Sequence, residues 1–249
     1  MFIALALPVL GQELPSADVK VAPPQAYPLE ASRMINVRGG LSYTDGNLFN
    51  RNISGGFDSK FTVADKQNLF VSADAAYGRM NNTIYAERWR GSLLYAYNFH
   101  KNLNLFLTST QAQNRFWNLR YRTANGVGIC YDGFADKKIF DPILVSFAIT
   151  PEYAHYGDQY DEHDLRGVLR FNTVAKFNEN VSSGLDFMYF PVMNSISDFR
   201  IYGEFFVQFK VIQDKLAFRV ALVDEYDSTP RPGIKSNDFY AMESLVFKL

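Results

Sequence analysis

Between positions 199 and 209 the chain alternates without a break. Phe199, Ile201, Gly203, Phe205, Val207 and Phe209 occupy one parity, and Arg200, Tyr202, Glu204, Phe206 and Gln208 the other. A period of two puts these sets on opposite faces of one β-strand, one apolar, the other polar and charged. An apolar face alone would suit a protein core as well as lipid. The same alternation recurs along the whole chain at a fixed spacing. That recurrence is the signature of a transmembrane β-barrel, apolar outside and wet inside.

Short polar breaks punctuate the strands at Ala64-Asp65-Lys66-Gln67, His100-Lys101-Asn102, Ala135-Asp136-Lys137-Lys138, Asn178-Glu179-Asn180 and Gln213-Asp214-Lys215. Each follows an apolar or aromatic residue, as tight hairpin turns do. Longer connections lie between them, at 44–50, 78–83, 114–121, 156–164, 191–197 and 227–237. Short turns alternating with long loops predict one periplasmic and one outer rim. The fold expected is therefore all-β, a single antiparallel barrel of about twelve strands with both termini on the periplasmic side. Its backbone diameter would be roughly 24 Å, which leaves at most a narrow passage once side chains fill the interior.

The turns also set the register. Turning at 212–215 pairs Phe209 with Phe218, Val207 with Val220, Phe205 with Leu222 and, inside, Gln208 with Arg219. Turning at 178–180 pairs Phe171 with Phe187, Leu169 with Tyr189 and Asn172 with Asp186. Turning at 100–102 pairs Tyr97 with Leu105 and Tyr95 with Leu107. Apolar meets apolar each time, and a slip of one residue would invert every face.

The same parity sorts the charges, because an arginine at mid-bilayer on the lipid face costs roughly 2–4 kcal/mol. Arg38, Lys60, Asp74, Arg90, Arg122, Glu152, Arg166, Arg170, Asp186, Arg200, Glu204 and Arg219 are expected to point into the lumen. Such arginines select anions if they stand free. If they pair across strands, they fill the lumen instead. The last strand conflicts with the pattern, since Phe247 and Leu249 would carry Glu243 outward with them.

Composition narrows the class. Aromatics are 16% of the chain, nearly all Phe and Tyr, which supplies strand formers and interfacial girdles. No apolar run reaches the ~18 residues of a spanning helix. A net charge of −1 gives no electrostatic footprint for nucleic acid. Cys130 is the sole cysteine, so no intrachain disulfide forms. Residues 1–11 read as a secretory signal, though no Lys or Arg precedes the apolar stretch. Residues 12–33, with Pro15, Pro23, Pro24 and Pro28, read as an extended periplasmic linker, and 34–249 as the barrel.

Gly40-Leu41-Ser42-Tyr43-Thr44-Asp45-Gly46-Asn47 resembles the opening strand and first loop of the salt-induced outer-membrane proteins, which carry the YdiY-like domain of unknown function. Ala86-Glu87-Arg88-Trp89 with Tyr95 and Tyr97 is similar to that family's fourth strand. Asn114-Arg115-Phe116, Tyr121-Arg122 and Gly126-Val127-Gly128 resemble its central loop and glycine-spaced strand. Tyr226-Asp227-Ser228-Thr229-Pro230 with Gly233 and Asp238 is similar to its closing loop. The resemblance spans about residues 34–249 and implies an outer-membrane barrel, with no reaction or ligand attached. Family members tend to end on an aromatic residue, whereas this chain ends on Leu249.

Three places could carry chemistry. The run 156–164 holds Asp158, Asp161, Glu162 and Asp164, a candidate divalent-cation loop that lacks the glycine and ligand order of an EF-hand. A solvated hairpin loop explains it equally well. A barrel hydrolase would need a serine beside a histidine, and among His100, His155 and His163 only His155 lies near an outer rim. Cys130 follows Gly126 and Gly128 on the inward parity, where it reads as a small lumen residue.

The sequence therefore predicts a small passive channel or solute-binding barrel of the bacterial outer membrane, linked to envelope or osmotic stress. The alternative is a closed barrel acting through its extracellular loops. No enzyme activity and no cofactor are expected. Expected partners are outer-membrane lipid and lipopolysaccharide, the barrel-assembly machinery and periplasmic chaperones, and small solutes.

Overall fold

The computed structural model describes residues 33–44, 50–80, 83–100, 102–115, 118–133, 143–213, 215–232 and 236–248. They form twelve strands: β1 (Arg33–Thr44), β2 (Asn50–Ala64), β3 (Gln67–Met80), β4 (Thr83–His100), β5 (Leu103–Asn114), β6 (Leu119–Gly133), β7 (Ile143–Tyr156), β8 (Asp161–Lys176), β9 (Val181–Val192), β10 (Ser195–Ile212), β11 (Leu216–Asp227) and β12 (Asn237–Lys248). Each pairs antiparallel with its chain neighbour, and β1 meets β12 to close the barrel. The expected signal segment and nearly all of the expected linker lie outside the described residues.

The register follows from the pattern. Phe209 pairs with Phe218, Val207 with Val220, Phe205 with Leu222 and Gln208 with Arg219. Leu169 pairs with Tyr189, Phe171 with Phe187 and Asn172 with Asp186, and Tyr95 pairs with Leu107. The outer face carries exposed Leu107, Val127, Ile129, Phe147, Leu169, Phe187, Phe205 and Leu222. Charge and polarity lie inside, so the barrel is inverted relative to a water-soluble one. Aromatic rings meet at a tilt on the outer face near the long-loop end, with Tyr189 and Phe199 at 5.5 Å and Phe199 and Tyr226 at 5.9 Å.

Four expected loops are shorter than the sequence indicated: 78–83 and 114–121, cut back by the end of β3 at Met80 and the start of β6 at Leu119, and 191–197 and 156–164. The chain turns between Val192 and Ser195, not across 191–197, because Pro191 and Phe199 pair across a register shift that absorbs the extra residues. Strand β8 begins at Asp161, which reduces the polar run 156–164 to a loop of 157–160. Gln159 holds that loop with a left-handed backbone. The turn expected at 135–138 lies outside the described residues.

The closing seam is the weakest part of the wall. Between β1 and β12 the paired register runs only from Asn36↔Lys248 to Gly39↔Leu245. Between β1 and β2 it runs the full length, Arg33↔Phe61 to Thr44↔Asn50. Toward the long-loop end, therefore, β1 and β12 are not laddered.

Candidate functional site

The interior has two unequal halves, set by the size of the inward side chains. On β4 to β10 these are large. Leu94, Phe106, Val168, Met188, Phe190 and Tyr202 pack with Cys130, Ala124 and Ala148 into a dry cluster. On β1 to β3 and β12 they are small, including Gly40, Ser54, Gly56, Ala76 and Ser244. What the small residues leave is a cavity of about 110 Å³, bordered also by Arg38, Asp74, Arg88, Arg90, Arg219 and Glu225.

Glycine makes the packed half possible. Gly128 faces Phe106 across the β5–β6 ladder, and Gly184 faces Phe206 across β9–β10. A Cβ at Gly128 would stand 2.5 Å from the Phe106 ring and 2.5 Å from the Phe147 carbonyl oxygen. At Gly184 it would stand 2.2 Å from the Phe206 ring. Each ring thus occupies the space that a neighbouring strand's glycine leaves. Phe206 in turn carries the Arg219 guanidinium 3.8 Å above its face, a desolvated cation–π contact.

The buried charges are compensated in clusters. Arg170 grips Asp186 with two parallel hydrogen bonds, Nε to Oδ1 at 2.7 Å and Nη2 to Oδ2 at 2.6 Å. Glu152 is approached by Arg200, by Arg166 at 3.4 Å and by Arg122 at 3.6 Å. Arg166 extends this cluster to Asp164, Glu162 and Asp198. Arg219 binds Glu204, which also accepts from the Tyr202 hydroxyl. Arg38 joins Asp58 and, at 2.9 Å, Asp74, while Arg90 also binds Asp74. Lys60 is buried to 1% exposure.

The acidic loop residues are divided among several surroundings. Asp158 binds Arg231 at 2.7 Å. Asp161 lies on the outer side, where His155 at 2.7 Å and the Tyr153 hydroxyl at 3.1 Å meet it. The His155 contact lowers the Asp161 pKa below its ordinary value. Glu162 and Asp164 turn inward and come together with Glu152. The three arginines around that trio already supply the positive charge a cation would bring. Above them Arg231 spans the rings of Tyr156 at 4.1 Å and Tyr160 at 4.5 Å, so the β11–β12 connection reaches over the end of β7.

Glu243 does face outward beside Phe247, as its parity requires. It also borders the cavity next to the unladdered part of the β1–β12 seam. Its backbone carbonyl closes on Gly40 there, 3.1 Å from where a Cβ would stand. Asp58, Arg88, Asp198 and Glu225 belong to the interior and are absent from the charges singled out in the sequence. Their signal was available, because Arg88 lies two residues before Arg90 and Asp58 two before Lys60, each on the same parity.

A family model described as a protein of unknown function, DUF481, matches residues 37–249. No curated protein matches the chain. Among solved structures, the NanC porin superposes with a TM-score of 0.52 at 10% identity, covering 86% of this chain and 100% of that one. The CymD monoaromatic hydrocarbon channel gives 0.44 at 8% identity, with 88% of each chain covered. A FadL homologue of Pseudomonas aeruginosa gives 0.36 at 10% identity, covering 87% of this chain and 74% of that one. At such identity the NanC likeness is one of fold alone, that of a closed antiparallel barrel.

Proposed function

Since the chain belongs to the DUF481 family of proteins of unknown function, we propose that it is a bacterial outer-membrane barrel that binds or slowly passes small solutes. The observation that carries this reading is the off-axis cavity. Small inward residues on β1–β3 and β12 keep charged groups water-accessible inside a wall whose outer face is apolar. Arg38 and Asp74 retain 25% and 29% of their side-chain exposure there, whereas Arg170 and Asp186 retain 3% and 1%. The lipid-facing exterior calls for a membrane, with lipid and lipopolysaccharide around it and the barrel-assembly machinery and its chaperones upstream. The resemblance to salt-induced proteins adds duty under envelope or osmotic stress. No reaction is proposed: among the described residues His155 is held by Asp161, and no serine hydroxyl is hydrogen-bonded to it.

A second reading, a closed barrel acting through its loops, is favoured by the dry cluster that fills the other half of the lumen. Conductance of the refolded barrel in a planar bilayer separates the two. Small unitary steps are expected from the native chain. Ala76→Phe, which fills the cavity from its wall, should reduce them by about fivefold or more. A silent native barrel would overturn the channel form of the proposal and turn attention to the loops.

A further inference from the structure

Every other arginine bordering the cavity has an acidic partner. Arg38 and Arg90 share Asp74, and Arg219 holds Glu204. Arg88 does not: among the described residues no carboxylate lies within ion-pair distance of it. Its Nη1 is buried and meets no acceptor. A buried guanidinium nitrogen without a partner forfeits its hydration with nothing in return.

The ladder explains why Arg88 has room. It pairs with Ala76, Ala76 with Ser54, and Ser54 with Gly40. Toward β1 no directly paired side chain is larger than serine, while on its other side Arg88 pairs with Asn114 of β5. Arg88 therefore borders the cavity, with only short side chains between it and β1.

We propose that Arg88 is an anion-binding residue, and that the cavity takes a compact oxyanion, a phosphate or carboxylate group, against its guanidinium. This deepens the solute-binding reading and rests on it. The planar fork of donors matches two oxygens of such a group at once. The neighbouring Asp74 and Glu204 are neutralised by Arg38, Arg90 and Arg219, so they do not cancel the field of Arg88 at short range. Glu225 and Glu243 also border the cavity, and their repulsion limits the occupant to a single compact anionic group held against Arg88. The group can arrive on a free solute through the lumen or on a lipid headgroup through the unladdered seam.

The test is titration of the refolded full-length barrel with inorganic phosphate, followed calorimetrically at constant ionic strength. Saturable binding is expected. Arg88→Gln should weaken it roughly tenfold or more, and Arg88→Lys by less, since lysine keeps the charge but loses the fork. Arg115→Gln, which opens an exposed pair with Glu87, should leave it unchanged. Repeating the titration in phosphatidylcholine vesicles with and without phosphatidylglycerol separates the sources. Weaker phosphate binding in the anionic vesicles, seen only when Arg88 is present, identifies a headgroup as occupant. Equal binding in both vesicles identifies a free solute. Absent phosphate binding, or binding indifferent to Arg88→Gln while the variant keeps native heat resistance, would overturn the proposal. Conductance does not enter this test, so a silent barrel that binds phosphate through Arg88 would refute the channel and leave the site standing.

Discussion

Gly128 and Gly184 both accommodate a phenylalanine, but the obstacles to a larger residue differ. At Gly128 a new methyl group would meet the Phe147 carbonyl, which belongs to the wall and cannot swing away. At Gly184 the three nearest atoms all belong to the Phe206 ring, which can turn. Gly128→Ala should therefore cost about 1–3 kcal/mol, and Gly184→Ala less. Urea unfolding of the refolded barrels measures both, and Phe206→Leu should recover most of the loss at Gly184 but none at Gly128. Equal losses would mean that the Phe147 backbone yields. The inward glycines were legible in the sequence as positions that leave room for bulk. Which ring each one hosts was not, because the partner is set by register with the adjoining strand.

The paired strands β8 and β9 illustrate what a buried ion pair does to the energetics of an element. Arg170 and Asp186 are nearly inaccessible, so removing one charge strands the other. Asp186→Leu alone should destabilise the barrel by about 3–5 kcal/mol. Asp186→Leu combined with Arg170→Met should recover most of that loss, because the pair's desolvation cost disappears with its attraction. A double-mutant cycle on unfolding free energies checks this, and additive losses would refute it. The strands themselves were legible, since a two-residue period fixes faces and a tight turn fixes partners. Misjudgement came where polar composition was taken for a loop. Pro191 invites that reading, yet its ring sits in the ladder opposite Phe199, at a bulge where a missing N–H does no harm. The 156–164 run misleads similarly, because alternation of Glu162 and Asp164 with His163 and Leu165 is strand patterning with its charges turned inward.

For the whole molecule, the limiting junction is the short ladder between the first and last strands. Gly39 faces Leu245 there, and a Cβ at Gly39 would meet nothing within 4 Å. Cysteines at these two positions should bridge in oxidant, and Cys130, buried at 4% exposure, should not compete. The bridge should raise resistance to heat unfolding, in line with the ~2–4 kcal/mol typical of disulfides. The shift of the folded band on gels after heating reports it, and an unchanged shift would show that the seam is not where unfolding begins. Closure and strand number could be read from one period and its turns. The division of the lumen into a filled and an open half could not, because it depends on how side chains from non-adjacent strands meet. Arg200 and Glu152 are 48 residues apart in the chain.

That meeting constrains how such a sequence can drift. Glu152 is held by arginines from three different strands, so a neutral residue at 152 would leave an excess of buried positive charge. Tolerated change must then arrive as sets, with acid and base exchanged together across β6, β7, β8 and β10. Among related chains these positions should vary as a block or not at all, while the apolar exterior, which asks only for greasiness, drifts one residue at a time.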